Sequence, residues 1–208
     1  MGRPAYTEDE VRLARQRLLD AAMSLYLEGG LDNLSLRQVA ERVSLSHTLV
    51  YRYFTGKEAL LAELRIACLD DLQAALRAGD SAQAPALERL RLALTTLLTF
   101  GCDQPDKYRL VFTHEQPHLD AYPHLRARRS EVFAACHQLV VDAARAQGLQ
   151  IDTLLYTHGL WSLLHGMLSL HTAGQLVHGL DLDHMALPLI DVLLKPLHEA
   201  PAGRPSGR

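Results

Sequence analysis

The chain has 208 residues, 48% of them hydrophobic and 22% charged, with a formal net charge of −3. Such a chain suits one large domain or two small ones, buries a core without disulfide or metal staples, and does not fit wholesale disorder. No apolar stretch reaches the roughly 18–20 residues that span a bilayer; no leader-like run opens the chain, and three scattered cysteines without a CxxC pair point to a reduced, cytoplasmic setting.

The periodicity is helical almost throughout, without strand alternation, so the expected class is all-α. Thr7 and Glu10 form a capping box that opens a helix to about Glu28. Its stripe is Val11, Ala14, Leu18, Ala21, Ala22 and Leu25, and Gly29-Gly30 ends it. Ser35 with Gln38 starts a short helix through Val43. Ser44-Leu45-Ser46 makes a turn, and Ser46 caps a third helix reaching about Phe54. Thr55-Gly56 breaks that helix, and Lys57 begins a long one to about Ala78. Further helices are expected at about 86–101, 105–115, 121–147, 152–173 and 182–198. The Pro/Gly/Ser-rich end, 201–208, reads as a flexible tail. The division that follows is 1–56 for the first three helices and 57–200 for a longer bundle, with 57–78 as its connecting helix.

Two short helices joined by a three-residue turn, with a supporting helix before them, suit a helix-turn-helix. The second helix of that motif lies in the major groove of DNA. Val39, Ala40, Leu45 and Val50 fill the angle between the helices, and Ala40 is small enough for a close approach. That leaves His47, Thr48, Leu49 and Arg52 pointing away from the packing face. Charge agrees with this assignment. Between 35 and 57, Arg37, Arg42, Arg52 and Lys57 stand against Glu41, a net +3 in a chain whose remainder is near −6.

Many of these residues recur at fixed offsets in one known group. They are Leu18-Leu19-Asp20-Ala21-Ala22, then Gly30, Ser35, Arg37, Val39 and Ala40, then Leu45-Ser46, Val50-Tyr51, Tyr53-Phe54, Lys57-Glu58 and Leu60. On them, residues 18–61 closely resemble the DNA-binding domain of the TetR family of transcriptional regulators. One departure is Ser44, where that family usually has glycine; a serine there must adopt, or avoid, a strained backbone conformation, at a cost of about 1 kcal/mol.

The resemblance implies phosphate contacts from Tyr51, Tyr53 and Lys57, and two phenols and an ammonium suit phosphate oxygens chemically. Ser35 is placed to offer its hydroxyl, and Arg37 to reach a phosphate or a guanine edge. His47 and Thr48 are the candidates for base contact, and Leu49 for a thymine methyl. Ser46 and Arg52 complete the expected DNA-facing set, while Arg42 reads as a surface charge. Taken alone, Tyr51 is also an ordinary boundary aromatic and Lys57 a solvated cap. Arg3 reads as part of a disordered terminus rather than a minor-groove contact.

TetR-like regulators join this domain to a helical one that dimerises and often binds a small effector. Trp161, His165 and Gly166 resemble a Trp-Xaa-Xaa-Xaa-His-Gly signature of one subgroup. Read from the residues, Gly159, Ser162, Gly166 and Ser169 form a small-residue stripe that lets another helix approach closely. The last helix adds Met185, Leu187, Leu189, Ile190, Leu193, Leu194 and Leu197. The two C-terminal helices therefore suit a four-helix dimer interface, with Leu189 and Leu193 in it; burial in a monomer core is the alternative.

For an effector, the expected lining is Phe100, Tyr108, Phe112, Phe133, His137, Trp161 and His165 between the long middle helices, accepting an aromatic or moderately apolar compound. Among eleven histidines, His114 and His118 are separated by Pro117, and His158 with His165 lack a carboxylate or cysteine to complete a ligand set. No metal or cofactor is expected. The chain has no phosphate loop, nucleophile elbow or HExxH. The reading is a homodimeric, DNA-binding repressor released by a small molecule, with no membrane partner. A small-molecule sensor without specific DNA binding is the alternative, and an enzyme carrying a vestigial helix-turn-helix is a third class.

Overall fold

A computed structural model describes residues 7–115 and 117–197, and among them every regular element is helical. Arg3 and the tail 201–208 lie outside the described residues. The helices are α1 (Glu8–Gly29), α2 (Leu36–Arg42), α3 (His47–Val50), α4 (Lys57–Gly79), α5 (Ala86–Asp103), α6 (Pro105–Phe112), α7 (Pro123–Ala146), α8 (Thr153–Thr172) and α9 (Leu182–Leu194). Short 3₁₀ turns occupy Leu31–Asn33, Leu119–Ala121 and Lys195–Leu197. No described helix is long and apolar enough to cross a membrane.

Most boundaries fall where local chemistry puts them. Thr7 makes the full reciprocal capping box with Glu10. Ser35, Ser46, Asp152 and Asp181 each accept an amide N–H of the helix they open. Several boundaries differ from expectation, α9 ending at Leu194 rather than 198 among them, and three have a visible local cause. Helix α3 is a single turn rather than a helix to Phe54, because Arg52 and Tyr53 bond the carbonyls three residues back in tighter turns. Helix α6 stops at Phe112, since the amides of Thr113 and His114 both fold back onto the Arg109 carbonyl. Helix α7 starts at Pro123, where a first-turn proline loses no helical hydrogen bond.

The chain divides into two compact units, 1–68 with 109–127 and 69–108 with 128–208. The division thus falls inside α4 rather than at its start. In the first unit, Leu18, Ala22 and Tyr26 of α1, Val39 and Ala40 of α2, Val50, Phe54 and Leu60 are all buried. Burying each large side chain contributes about 1.5–3 kcal/mol. Arg65, 1% exposed, donates from Nε to the Leu110 carbonyl (3.1 Å) and from Nη2 to the Glu115 carbonyl (2.9 Å). Tyr26 Oη and His114 Nε2 lie 3.1 Å apart, which ties α1 to the segment after α6 just as Arg65 ties α4 to it.

The second unit packs α5 on α8 and α9, and α8 on α9. Its core includes Leu90, Leu94, Leu97, Leu164, Leu168, Ile190 and Leu194. Gly101 allows α5 and α8 to close up, because a Cβ there would stand 2.6 Å from Cδ1 of Leu168. Arg91 on α5 grips Asp191 on α9 with both Nε (2.6 Å) and Nη2 (3.2 Å). Tyr156 Oη of α8 donates to the Leu193 carbonyl of α9.

Candidate functional site

The helix-turn-helix angle closes on the residues expected for it. Val39, Ala40 and Val50 are buried, Leu45 is half-buried, and the Leu45 amide donates to the Ala40 carbonyl at 2.9 Å. The turn carries Ser44 at φ 56°, the one described non-glycine residue with positive φ. The glycine-like conformation is therefore kept by a serine, with strain of order 1 kcal/mol.

With the angle filled, the opposite face is presented to solvent. Arg37, Ser46, His47, Thr48, Tyr51 and Arg52 are exposed, and Ser35, Leu49, Tyr53 and Lys57 are half-buried. Tyr51 is 49% exposed, which is high for a large aromatic ring that a core could use. His47 stacks edge-on against it, ring centroids 4.8 Å apart and planes at 82°, so the two rings hold each other in position.

Several side chains of this face are already engaged. The Ser35 hydroxyl accepts the Gln38 amide at 3.2 Å and also donates to Gln38 Oε1, so its proton is committed within the cap. Arg37 pairs with Glu41 one turn on (2.9 Å) and, 79% exposed, is free to exchange that partner for a phosphate or a base. Lys57 Nζ donates to the Leu31 carbonyl at 2.6 Å, pinning the 3₁₀ turn after α1 while two of its three N–H bonds remain.

Arg42 is turned away from this task. It forks onto Glu28 at 2.8 and 2.7 Å, clamping α2 to α1, and the Arg42 guanidinium holds the Glu28 carboxyl down at about 2. Sequence reading missed this clamp, although an arginine and a glutamate near the ends of neighbouring helices were the available signal.

Helices α8 and α9 present an apolar face. Leu155 (70%) and Leu170 on α8, and Leu187 and Val192 (63%) on α9, are exposed. Gly159 and Ser162 are exposed, Gly166 and Ser169 half-buried, and a Cβ built on either glycine meets nothing within 4 Å. Leu189 and Leu193 are half-buried, whereas Ile190, Leu194 and Leu197 are consumed by the core of their own unit.

The expected effector-lining residues do not gather around one chamber. Tyr108 donates to or accepts from His165 Nδ1 at 2.8 Å, and these two with Trp161, Leu97, Leu164 and Leu168 enclose only about 10 Å³. That space holds one water at most. Burial pushes the Tyr108 phenol well above its ordinary range, so it stays neutral. Phe133 lies against His158, centroids 4.8 Å apart, and His137 Nε2 sits 3.1 Å from the Thr153 hydroxyl. Phe100 is buried in the core, and Phe112 belongs to the other unit. A larger cavity, of about 260 Å³, lies instead against α4, α5 and α7, and none of the seven lines it. Its signal was invisible in the aromatics, because its walls are Leu, Ala, Val and Cys. Among the described residues, no three metal-ligating side chains come together.

Comparison with known proteins agrees in both units. Residues 18–64 match the family described as bacterial regulatory proteins, tetR family, and residues 90–193 match the tetracyclin repressor-like C-terminal domain. The HTH-type transcriptional regulator BetI of Paraburkholderia xenovorans is 31% identical over 166 residues, 76% of this chain and 83% of BetI. The HTH-type transcriptional activator FasR of Mycolicibacterium smegmatis is 25% identical over 137 residues, 65% of this chain and 61% of FasR, so the match spans under two thirds of that relative. A solved structure of a protein with unknown function from Rhodococcus sp. RHA1 superposes with a TM-score of 0.77 at 24% identity, covering 89% of this chain and 95% of that one.

Proposed function

The chain belongs to the TetR family of DNA-binding transcriptional regulators, and from that premise we propose that it is a homodimeric, cytoplasmic repressor released from its operator by a small-molecule effector. The observation that carries the reading is the exposed constellation Arg37, His47, Thr48, Tyr51 and Arg52 over a fully packed angle of Val39, Ala40 and Val50. A two-fold dimer presents two such faces to successive major grooves about 34–36 Å apart, on a pseudo-palindromic operator. Tyr51, Tyr53 and Lys57 take phosphates, as does Ser35 through the first turn of α2; His47, Thr48 and Leu49 read base edges. Ser46 keeps the amides of α3 ordered beneath them, and Arg37 and Arg52 add long-range attraction.

Dimerisation falls to α8 and α9. A helix-interior glycine is about 0.5–1 kcal/mol less stable than alanine, and nothing in the protomer requires glycine at 159 or 166. Close approach of a second copy along Gly159, Ser162, Gly166 and Ser169, flanked by Leu189 and Leu193, supplies the reason. The effector then acts by binding the operator-incompetent setting of the dimer more tightly than the competent one.

The test is binding of the purified protein to its own upstream intergenic DNA at two salt concentrations, with random DNA as competitor. Competitor-resistant binding with a steep salt slope is expected. A reporter driven by that DNA should rise when the regulator is deleted. No binding at low salt overturns the assignment, and a fall in the reporter replaces repression with activation.

A further inference from the structure

The cavity of about 260 Å³ is lined by the C-terminal half of α4, the first half of α5 and the middle of α7, all within the second unit. Leu76, Leu92, Ala93, Val132, Cys136 and Leu139 make its walls apolar. An apolar cavity of about 150 Å³ holds a benzene ring, so this one has room for roughly two fused rings.

Its polar features are few and mostly satisfied. Asp80 and Arg89 pair bidentately at 2.6 and 2.7 Å. Asp142 accepts from Gln138 Nε2 at 2.9 Å and lies 4.0 Å from Arg145. Arg77 sits on the exposed side of α4, and with it the rim charges Asp80, Arg89 and Asp142 cancel. Burial pushes the Cys136 thiol up to about 11, so at neutral pH it faces the cavity as S–H. The mouth is open to solvent at Arg77, Leu92, Ala135 and Gln138, whereas the buried floor of Ala93, Val132 and Cys136 carries no charge, which disfavours an ion held deep in the cavity.

Gln73 is the exception. It is buried on α4 and lines the cavity. Its Oε1 accepts from Arg128 Nη1 at 3.1 Å, and Arg128, a donor only, is itself anchored by Asp70 (2.8 Å) and Glu131 (2.7 Å). That fixes the amide's orientation, leaving its two N–H bonds as what Gln73 can offer to a ligand.

Resting on the reading of the chain as an effector-released regulator, we propose that this cavity is the effector site and takes an uncharged, two-ring-sized apolar molecule. That molecule presents one hydrogen-bond acceptor, such as a ketone oxygen, to the side-chain amide of Gln73. The ligand's hydrocarbon fills the Leu/Val/Ala walls, and its acceptor decides orientation.

The experiment titrates the full chain by calorimetry with 2-acetylnaphthalene, 2-ethylnaphthalene and 2-naphthoate. The ketone should bind about five- to ten-fold more tightly than the ethyl compound, the worth of one hydrogen bond, and the carboxylate should bind at least ten-fold more weakly than the ketone. Gln73→Leu should bring ketone and hydrocarbon within two-fold. Ala135→Trp, placed at the exposed rim and therefore tolerable to the fold, should weaken all three. Tightest binding by 2-naphthoate, an unaffected Ala135→Trp variant, or no binding by any probe overturns the proposal. So does ketone binding that leaves operator affinity unchanged. Failure to bind operator DNA at all is a separate result, which removes the regulator reading while the titrations still score the cavity's chemistry.

Discussion

Ser44 offers a quantitative test of the helix-turn-helix geometry. It sits at φ 56° in the turn between α2 and α3, exposed to solvent, with its amide donating to the Glu41 carbonyl at 3.2 Å. A left-handed conformation costs an L-residue about 1–2 kcal/mol that glycine does not bear. Glycine also gives the unfolded chain more freedom, worth about 0.4–1 kcal/mol in the opposite direction. Ser44→Gly should therefore stabilise the protein by about 0.5–1 kcal/mol, and by about 1–4 °C in Tm for a domain of this size. Urea unfolding followed by circular dichroism should show a higher midpoint with an unchanged slope. Operator affinity should stay within two-fold, because the turn keeps its shape. Ser44→Val, whose branched side chain crowds that conformation further, should move the midpoint the other way. A lowered midpoint for the glycine variant would refute the argument, since it would mean that the serine side chain more than compensates its own backbone strain.

Gly101→Ala should destabilise by about 1–2 kcal/mol in the same assay, because overpacking Leu168 outweighs the helical preference for alanine; its Cβ would stand 2.6 Å from a buried leucine methyl carbon. Gly159→Ala should do the reverse to the protomer, leaving or raising its stability, yet shift sedimentation toward monomer as the helices lose close approach. Glu28 should titrate near 2 by NMR, and Arg42→Met should raise it toward the usual carboxylate range, with the Ser24 hydroxyl still holding it somewhat down. Because that pKa is depressed in the folded state, the clamp's contribution is present above about 4.5 and is lost as pH falls toward 2.

What was legible in the sequence was local. Thr7, Ser35, Ser46, Asp152 and Asp181 announce their helices through one side-chain oxygen each, a contact that spans three residues. Val39, Ala40 and Val50 could be assigned inward because their spacing fixes the helix face. The sequence pattern runs past the end of α3 because Arg52 and Tyr53 continue the chain direction in tight turns without continuing the helix. The cavity was not legible for a different reason. A void is set by how far α4, α5 and α7 stand apart, which no single helix encodes, and its walls look like any core. Aromatic side chains stand out in a sequence, whereas Tyr108, Trp161 and His165 pack against one another almost without space.

Lys57 joins the two kinds of information. The family pattern assigns it to a phosphate, while the structure shows its Nζ 2.6 Å from the Leu31 carbonyl, holding the 3₁₀ turn that follows α1. An ammonium has three N–H bonds, so one can serve the turn and two the DNA. Lys57→Ala should then carry two separable signatures. Loss of the charged hydrogen bond from a half-buried site should lower stability by about 1 kcal/mol. Loss of one phosphate contact per protomer should weaken binding to all sequences and flatten the salt dependence by about one unit of slope per half-site. A stability loss with an unchanged slope would make Lys57 a structural pin and leave the phosphate to Tyr51 and Tyr53. A flattened slope with intact stability would mean that the Leu31 contact contributes nothing in solution. Only the paired outcome supports one side chain that orders the end of α1 and, through the same ammonium, reports on the DNA backbone.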